Sequence, residues 1–102
     1  MNPYTAIPLL EQEWELESGF LGKLRDGNFD SAALERLMRL LESINVDHAV
    51  TLERRFVSLT WLIPIYITWQ RERVQEKMGD VSSLDRAADR LQTVLDKILG
   101  IP

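Results

Sequence analysis

Four glutamates at alternate positions, Glu11, Glu13, Glu15 and Glu17, crowd the stretch LEQEWELE. They are the groups in this chain best placed to hold a cation or to meet a basic surface. Helical di-metal sites built from carboxylates usually add Glu-x-x-His pairs. None is present, and the single histidine, His48 in VDHAV, reads as a surface or capping residue near a helix start. The absence of cysteine excludes disulfides and thiolate zinc sites and suits a reducing cytosol. With one histidine and no cysteine, no Ser or Thr finds a base partner for nucleophilic work.

The stretch SGFLGK, residues 18–23, sets two glycines before a lysine, but the next residue is Leu24. A phosphate-binding loop needs four residues between the glycines and a Ser or Thr after the lysine. A nucleic-acid-clamping G-x-x-G is opposed by Phe20, Leu21 and the acidic surroundings. Gly19 and Gly22 therefore read as points of close helix packing or a bend. Neither catalysis nor a cofactor is expected.

The elements that must position these groups are helical. A first helix is expected from about Pro8 to Leu24, with RDGNFD (25–30) as the break. A second follows Asp30 as N-cap, with Phe29 stapling onto Leu34, and runs to about Ile44, where Asn45 would supply a left-handed stop. A third begins near Asp47 or Thr51 and runs towards Met78, ended by Gly79. Pro64 lies inside it and predicts a kink or a split. Ser82 or Ser83 caps a fourth that ends at Gly100. The expectation is one domain, residues 1–102, folded as a small all-α four-helix bundle.

Helical wheels sort the faces at about 100° per residue. The second helix turns Leu34, Leu37, Met38, Leu40, Leu41 and Ile44 inward and Arg36, Arg39 and Ser43 outward. The fourth turns Leu84, Ala88, Leu91, Val94, Leu95 and Ile98 inward. In the first helix Leu9, Leu10, Trp14, Leu16, Phe20, Leu21 and Leu24 form an apolar arc in which Glu13 and Glu17 also fall. Glu11 and Glu15 fall outside it. A carboxylate in a buried arc must be paired, protonated or functional, because burying a bare charge is costly. Three readings follow: ion pairs with Arg54, Arg55, Arg71 or Arg73, a surface that receives a basic partner, or a carboxylate metal site. The first is preferred.

The third helix carries two apolar stripes. Leu52, Phe56, Leu59, Ile63, Tyr66, Ile67 and Val74 form one, and Trp61, Leu62, Ile65 and Trp69 form the other. The uncharged run Phe56–Gln70 is 15 residues long, short of the roughly 20 that span a bilayer. Arginines flank both of its ends, so no membrane role is expected. Ile63, Ile65 and Ile67 also alternate as in a strand, but Pro64 would confine that strand to an edge. A helix apolar on two sides is either wrapped by its own chain or shared with another. The Trp61–Ile65–Trp69 stripe favours sharing, most simply in a two-fold homodimer.

The net charge of −4 is concentrated in residues 1–30, where six acids face only Lys23 and Arg25. No stretch has the basic excess that nucleic acid demands. The N-terminus lacks a basic region and turns acidic at once, so no secretory leader is expected. These features point to a cytoplasmic protein-interaction module, most concretely a bacterial immunity or antitoxin-type inhibitor of a basic toxin or effector. Acidic helical nuclease-immunity proteins are similar to it in charge and size, with no segment matched residue by residue. The alternatives are a dimeric helical adaptor and a metal-binding protein using Glu13 and Glu17.

Overall fold

Seven helical segments account for about 66 % of the chain, and there is no strand. The computed structural model describes residues 1–102. Helix α1 spans Pro3–Glu13; the Asn2 side chain accepts from the Thr5 N–H at 2.8 Å, and proline takes the first helical position. The helix does not continue to Leu24 as its periodicity suggests. Residues 14–19 form a turn and α2 restarts over Phe20–Leu24. The two glycines make that reversal sterically open. A Cβ on Gly19 would lie 2.2 Å from the Glu13 carbonyl oxygen, and one on Gly22 would lie 1.8 Å from that of Glu15. The chain folds back against the end of its own helix, where only glycine fits.

Helix α3 spans Ser31–Glu42. Asp30 caps it as expected, accepting the Ala33 N–H at 3.1 Å while its other oxygen takes the Lys23 ammonium at 2.7 Å. The helix ends before Asn45, which is not in a left-handed conformation. The predicted third helix is three pieces, α4 (Arg54–Thr60), α5 (Ile63–Trp69) and α6 (Arg71–Glu76). Pro64 sits in the first turn of α5 and has no N–H to offer the Thr60 carbonyl. Trp61, Leu62 and Gln70 at the breaks all keep right-handed helical dihedrals. The buried positions are Phe56, Leu59, Thr60, Ile63, Tyr66, Ile67, Gln70 and Val74. That is the three-and-four spacing of one helix, so α4–α6 act as a single rod with one register.

Helix α7 spans Val81–Leu99. Its cap is Asp80 rather than a serine: Asp80 accepts the Ser83 N–H at 2.9 Å and the Ser83 hydroxyl at 2.6 Å. Before it, the left-handed residue is Met78 (φ 57°), one position ahead of the expected Gly79, whose N–H closes onto the Val74 carbonyl.

The rod is central. Helix α1 packs along α4, α7 packs along α5 and α6, and α2 contacts α5, while α3 bridges α1, α2 and α7. Twenty-four buried apolar residues form one continuous core, and no buried side-chain polar atom lacks a partner. Trp14 ties the first turn to the rod at its break. Its indole N–H donates to the Leu59 carbonyl at 3.0 Å, and its ring meets Tyr66 edge-on at 4.7 Å. The Tyr66 hydroxyl then donates to the Leu21 carbonyl at 2.8 Å, and burial pushes its phenol pKa up.

Two outcomes follow. Met78 is exposed and holds a conformation that costs an L-residue roughly 1 kcal/mol, so Met78→Gly is expected to stabilise the fold by about 0.5–1 kcal/mol; thermal denaturation should show a rise of about 3–6 °C. The hydrogen bond from Lys23, aided by the Ala33 N–H, holds the Asp30 carboxyl below its ordinary range. A lowered folded pKa contributes stability above the unfolded carboxylate value, and that contribution is lost as pH falls through the lowered one. Asp30→Asn keeps a cap and removes the ion pair. Its stability deficit in urea unfolding is therefore expected to be full at neutral pH and to shrink as pH falls below the ordinary aspartate range.

Candidate functional site

The four glutamates separate once α1 ends at Glu13. Glu13 is 3 % exposed and fully engaged within the chain. Arg36 on α3 grips it with two parallel hydrogen bonds, Nε to Oε2 at 2.8 Å and Nη2 to Oε1 at 2.7 Å. The Phe20 N–H at the start of α2 also donates to Oε1, at 3.1 Å. The same guanidinium donates to the Ser18 carbonyl at 3.0 Å. One buried carboxylate therefore joins the end of α1, the 14–19 turn, the start of α2 and the middle of α3. Its hydrogen bonds raise the Arg36 pKa above the ordinary arginine value.

The expected pairing with Arg54, Arg55, Arg71 or Arg73 is corrected on this point: Arg36, placed outward by the wheel, supplies the charge. Its backbone does face away from the core. The long side chain bends back along the surface and leaves 51 % of its area in water. Arginine at the border of an apolar face, opposite a glutamate inside one, was the signal available.

The other acids are exposed. Glu17 leaves the apolar arc because the helical phase is broken at Trp14, and it takes part in no ion pair. Glu15 accepts the Ser18 hydroxyl at 3.1 Å, and Glu11 makes a solvent-exposed bridge to Arg55 at 3.3 Å. An open cleft of about 420 Å³ runs between Leu9, Gln12 and Glu15 on one side and Leu40 on the other, with the Glu13–Arg36 pair in its wall. Two more of the rod's arginines are used internally, and Arg54 has no ion pair. Arg71 pairs with Asp85 at 3.1 Å and Arg73 donates to the Arg25 carbonyl at 2.9 Å.

The second apolar stripe lies outside the core. Trp61 is 59 % exposed, Ile65 46 % and Trp69 61 %, and Leu62 is half-buried between them. The same register that buries Phe56, Ile63 and Ile67 fixes these three on the opposite face. Beside Ile65 a groove of about 290 Å³ opens between α5 and α7, with Pro64 and Thr68 on one wall and Ala88, Asp89 and Gln92 on the other. His48 sits exposed in a turn in which Asp47 accepts the Ala49 N–H at 2.9 Å. No three acidic or histidine side chains converge as a ligand set. No helix is long and apolar enough to cross a membrane.

Comparison with family models, with curated proteins and with solved structures finds no match for this chain.

Removing one partner of the Glu13–Arg36 pair should be asymmetric. Arg36→Ala strands a buried carboxylate on one N–H donor and is expected to cost about 2–3 kcal/mol, less than a fully buried pair because half the guanidinium faces water. Glu13→Gln still accepts from Phe20 and leaves arginine to be hydrated, so it should cost about 1–2 kcal/mol. Urea unfolding of the two variants measures the difference, and equal losses would count against this ordering.

Proposed function

We propose that the chain is a protein–protein interaction module. The observation that carries the reading is the exposed Trp61–Ile65–Trp69 face on a molecule whose core is otherwise complete. Large apolar area of this kind is rarely left bare without a contact to make, and tryptophan is enriched where contacts are strongest.

The most concrete form of the reading is an acidic immunity or antitoxin-type inhibitor acting in the bacterial cytoplasm. Glu11, Glu15 and Glu17 are the exposed glutamates of the first third and form the surface offered to a basic toxin or effector. Glu13 serves that surface indirectly, by fixing the turn that carries Glu15 and Glu17. In this role the four expected helices act as arms of one bundle: α1 with α2, α3, the α4–α6 rod bent at Pro64, and α7. A dimeric adaptor is the second reading, favoured by the same aromatic face.

The test is genetic and then biophysical. A gene adjacent to that of this chain is expected to encode a toxin whose growth inhibition the chain relieves. Reversing Glu11, Glu15 and Glu17 to lysine together is expected to weaken toxin binding about 10–100-fold, chiefly through slower association at low salt. Full protection by the triple variant, or a neighbour that harms no cell, would remove the inhibitor reading.

A further inference from the structure

The outward face of the rod has a charge order that matches itself when reversed. Along α4–α6 the exposed positions Arg54, Ser58, Trp61, Ile65, Trp69, Glu72 and Glu76 follow one another at helical spacing. Arg54 stands at one end with no ion pair, and Glu72 and Glu76 stand at the other with none. The other three arginines of the rod already hold Glu11, Asp85 and the Arg25 carbonyl, so Arg54 is the rod's free cation.

We infer that this face binds a second copy of the chain, antiparallel, across a two-fold axis through Ile65. The inference rests on the reading of the aromatic face as a contact surface. Ile65 is four residues from each tryptophan and 11 from both Arg54 and Glu76. The axis therefore sets Trp61 against the partner's Trp69 and Arg54 against the partner's Glu76, and repeats both contacts by symmetry. A parallel arrangement would oppose Arg54 to itself. The groove between α5 and α7 opens beside the axis and is where a partner's indole enters. Asp89 in its wall has no ion pair and is an acceptor for that indole N–H. The indoles, roughly 60 % exposed, leave about 100–150 Å² each, so four of them supply about 500 Å². With the flanking residues the interface reaches the lower end of specific association, about 1,200 Å², and a weak dimer, on the order of micromolar, is expected.

The chain has no cysteine, so single cysteines report geometry directly. Ile65→Cys is expected to form a disulfide-linked dimer under mild oxidation, where Glu15→Cys remains single. Sedimentation of the wild type from about 1 to about 300 µM is expected to show a monomer–dimer equilibrium. Arg54→Glu and Glu76→Arg should each weaken it about tenfold, and the double exchange should restore it. All four positions are exposed, so the core is untouched in every variant. A wild type that stays monomeric throughout overturns the second copy and leaves the acidic surface standing. A dimer that the charge exchange does not restore and Ile65→Cys does not link overturns the axis. A dimer undiminished in Trp61→Ala/Trp69→Ala overturns the aromatic face as a contact surface, and this inference with it.

Discussion

A single helical register, held from Phe56 to Val74 across two breaks, organises this molecule. The α-helical period assigns every side chain of the rod to one face or its opposite, and the chain has enough other helix to cover only one. Helices α1, α2 and α7 all pack on the side of Phe56, Ile63 and Ile67. The break at Pro64 keeps the register, because the residues around it stay in the right-handed region. Had the break shifted the phase by one residue, about 100°, Trp61 would no longer share the outward face with Ile65 and Trp69.

The other organising element is a charge. Glu13 is the one buried acid, and three donors from two other parts of the chain converge on it. An ion pair of this kind contributes little net stability compared with apolar residues of the same shape. What it does is select a geometry: only the tight reversal permitted by Gly19 and Gly22 brings the Phe20 N–H and the Arg36 guanidinium to the same carboxylate. The exposed acids Glu15 and Glu17 inherit their positions from that reversal. Trp14 then locks the reversal to the rod at its break, through the Leu59 carbonyl and Tyr66.

Much of this was legible in the residues, and the exceptions have physical causes. All-helical architecture followed from periodicity, and the inward faces of α3 and α7 were read almost position by position; Ala87 and Val94 were exchanged at the margin. Asp30 announced itself as a cap. The end of α1 at Glu13 was hidden because LEQEWELESGF keeps good helix formers up to Ser18, and what stops the helix is tertiary closure rather than propensity. That error carried Glu17 into the apolar arc. The Arg36 pairing was hidden because a wheel places Cβ atoms, whereas a guanidinium reaches several ångströms beyond its own. The left-handed residue is Met78 rather than Gly79, whose lack of a Cβ serves a close approach instead: a Cβ there would lie 2.7 Å from the Val74 side chain. The aromatic face could be named as a stripe, but whether the chain covers it depends on where the other helices pack.

The central claim is that the outward face of the rod is covered in the working protein by another copy of itself. Fluorine NMR of protein carrying 5-fluorotryptophan tests it directly, since the only tryptophans are Trp14, Trp61 and Trp69. Over about 1–300 µM, bracketing a micromolar dissociation constant, the account predicts that the resonances of Trp61 and Trp69 move together while that of half-buried Trp14 stays fixed. Three resonances that hold their positions across the whole range would contradict it.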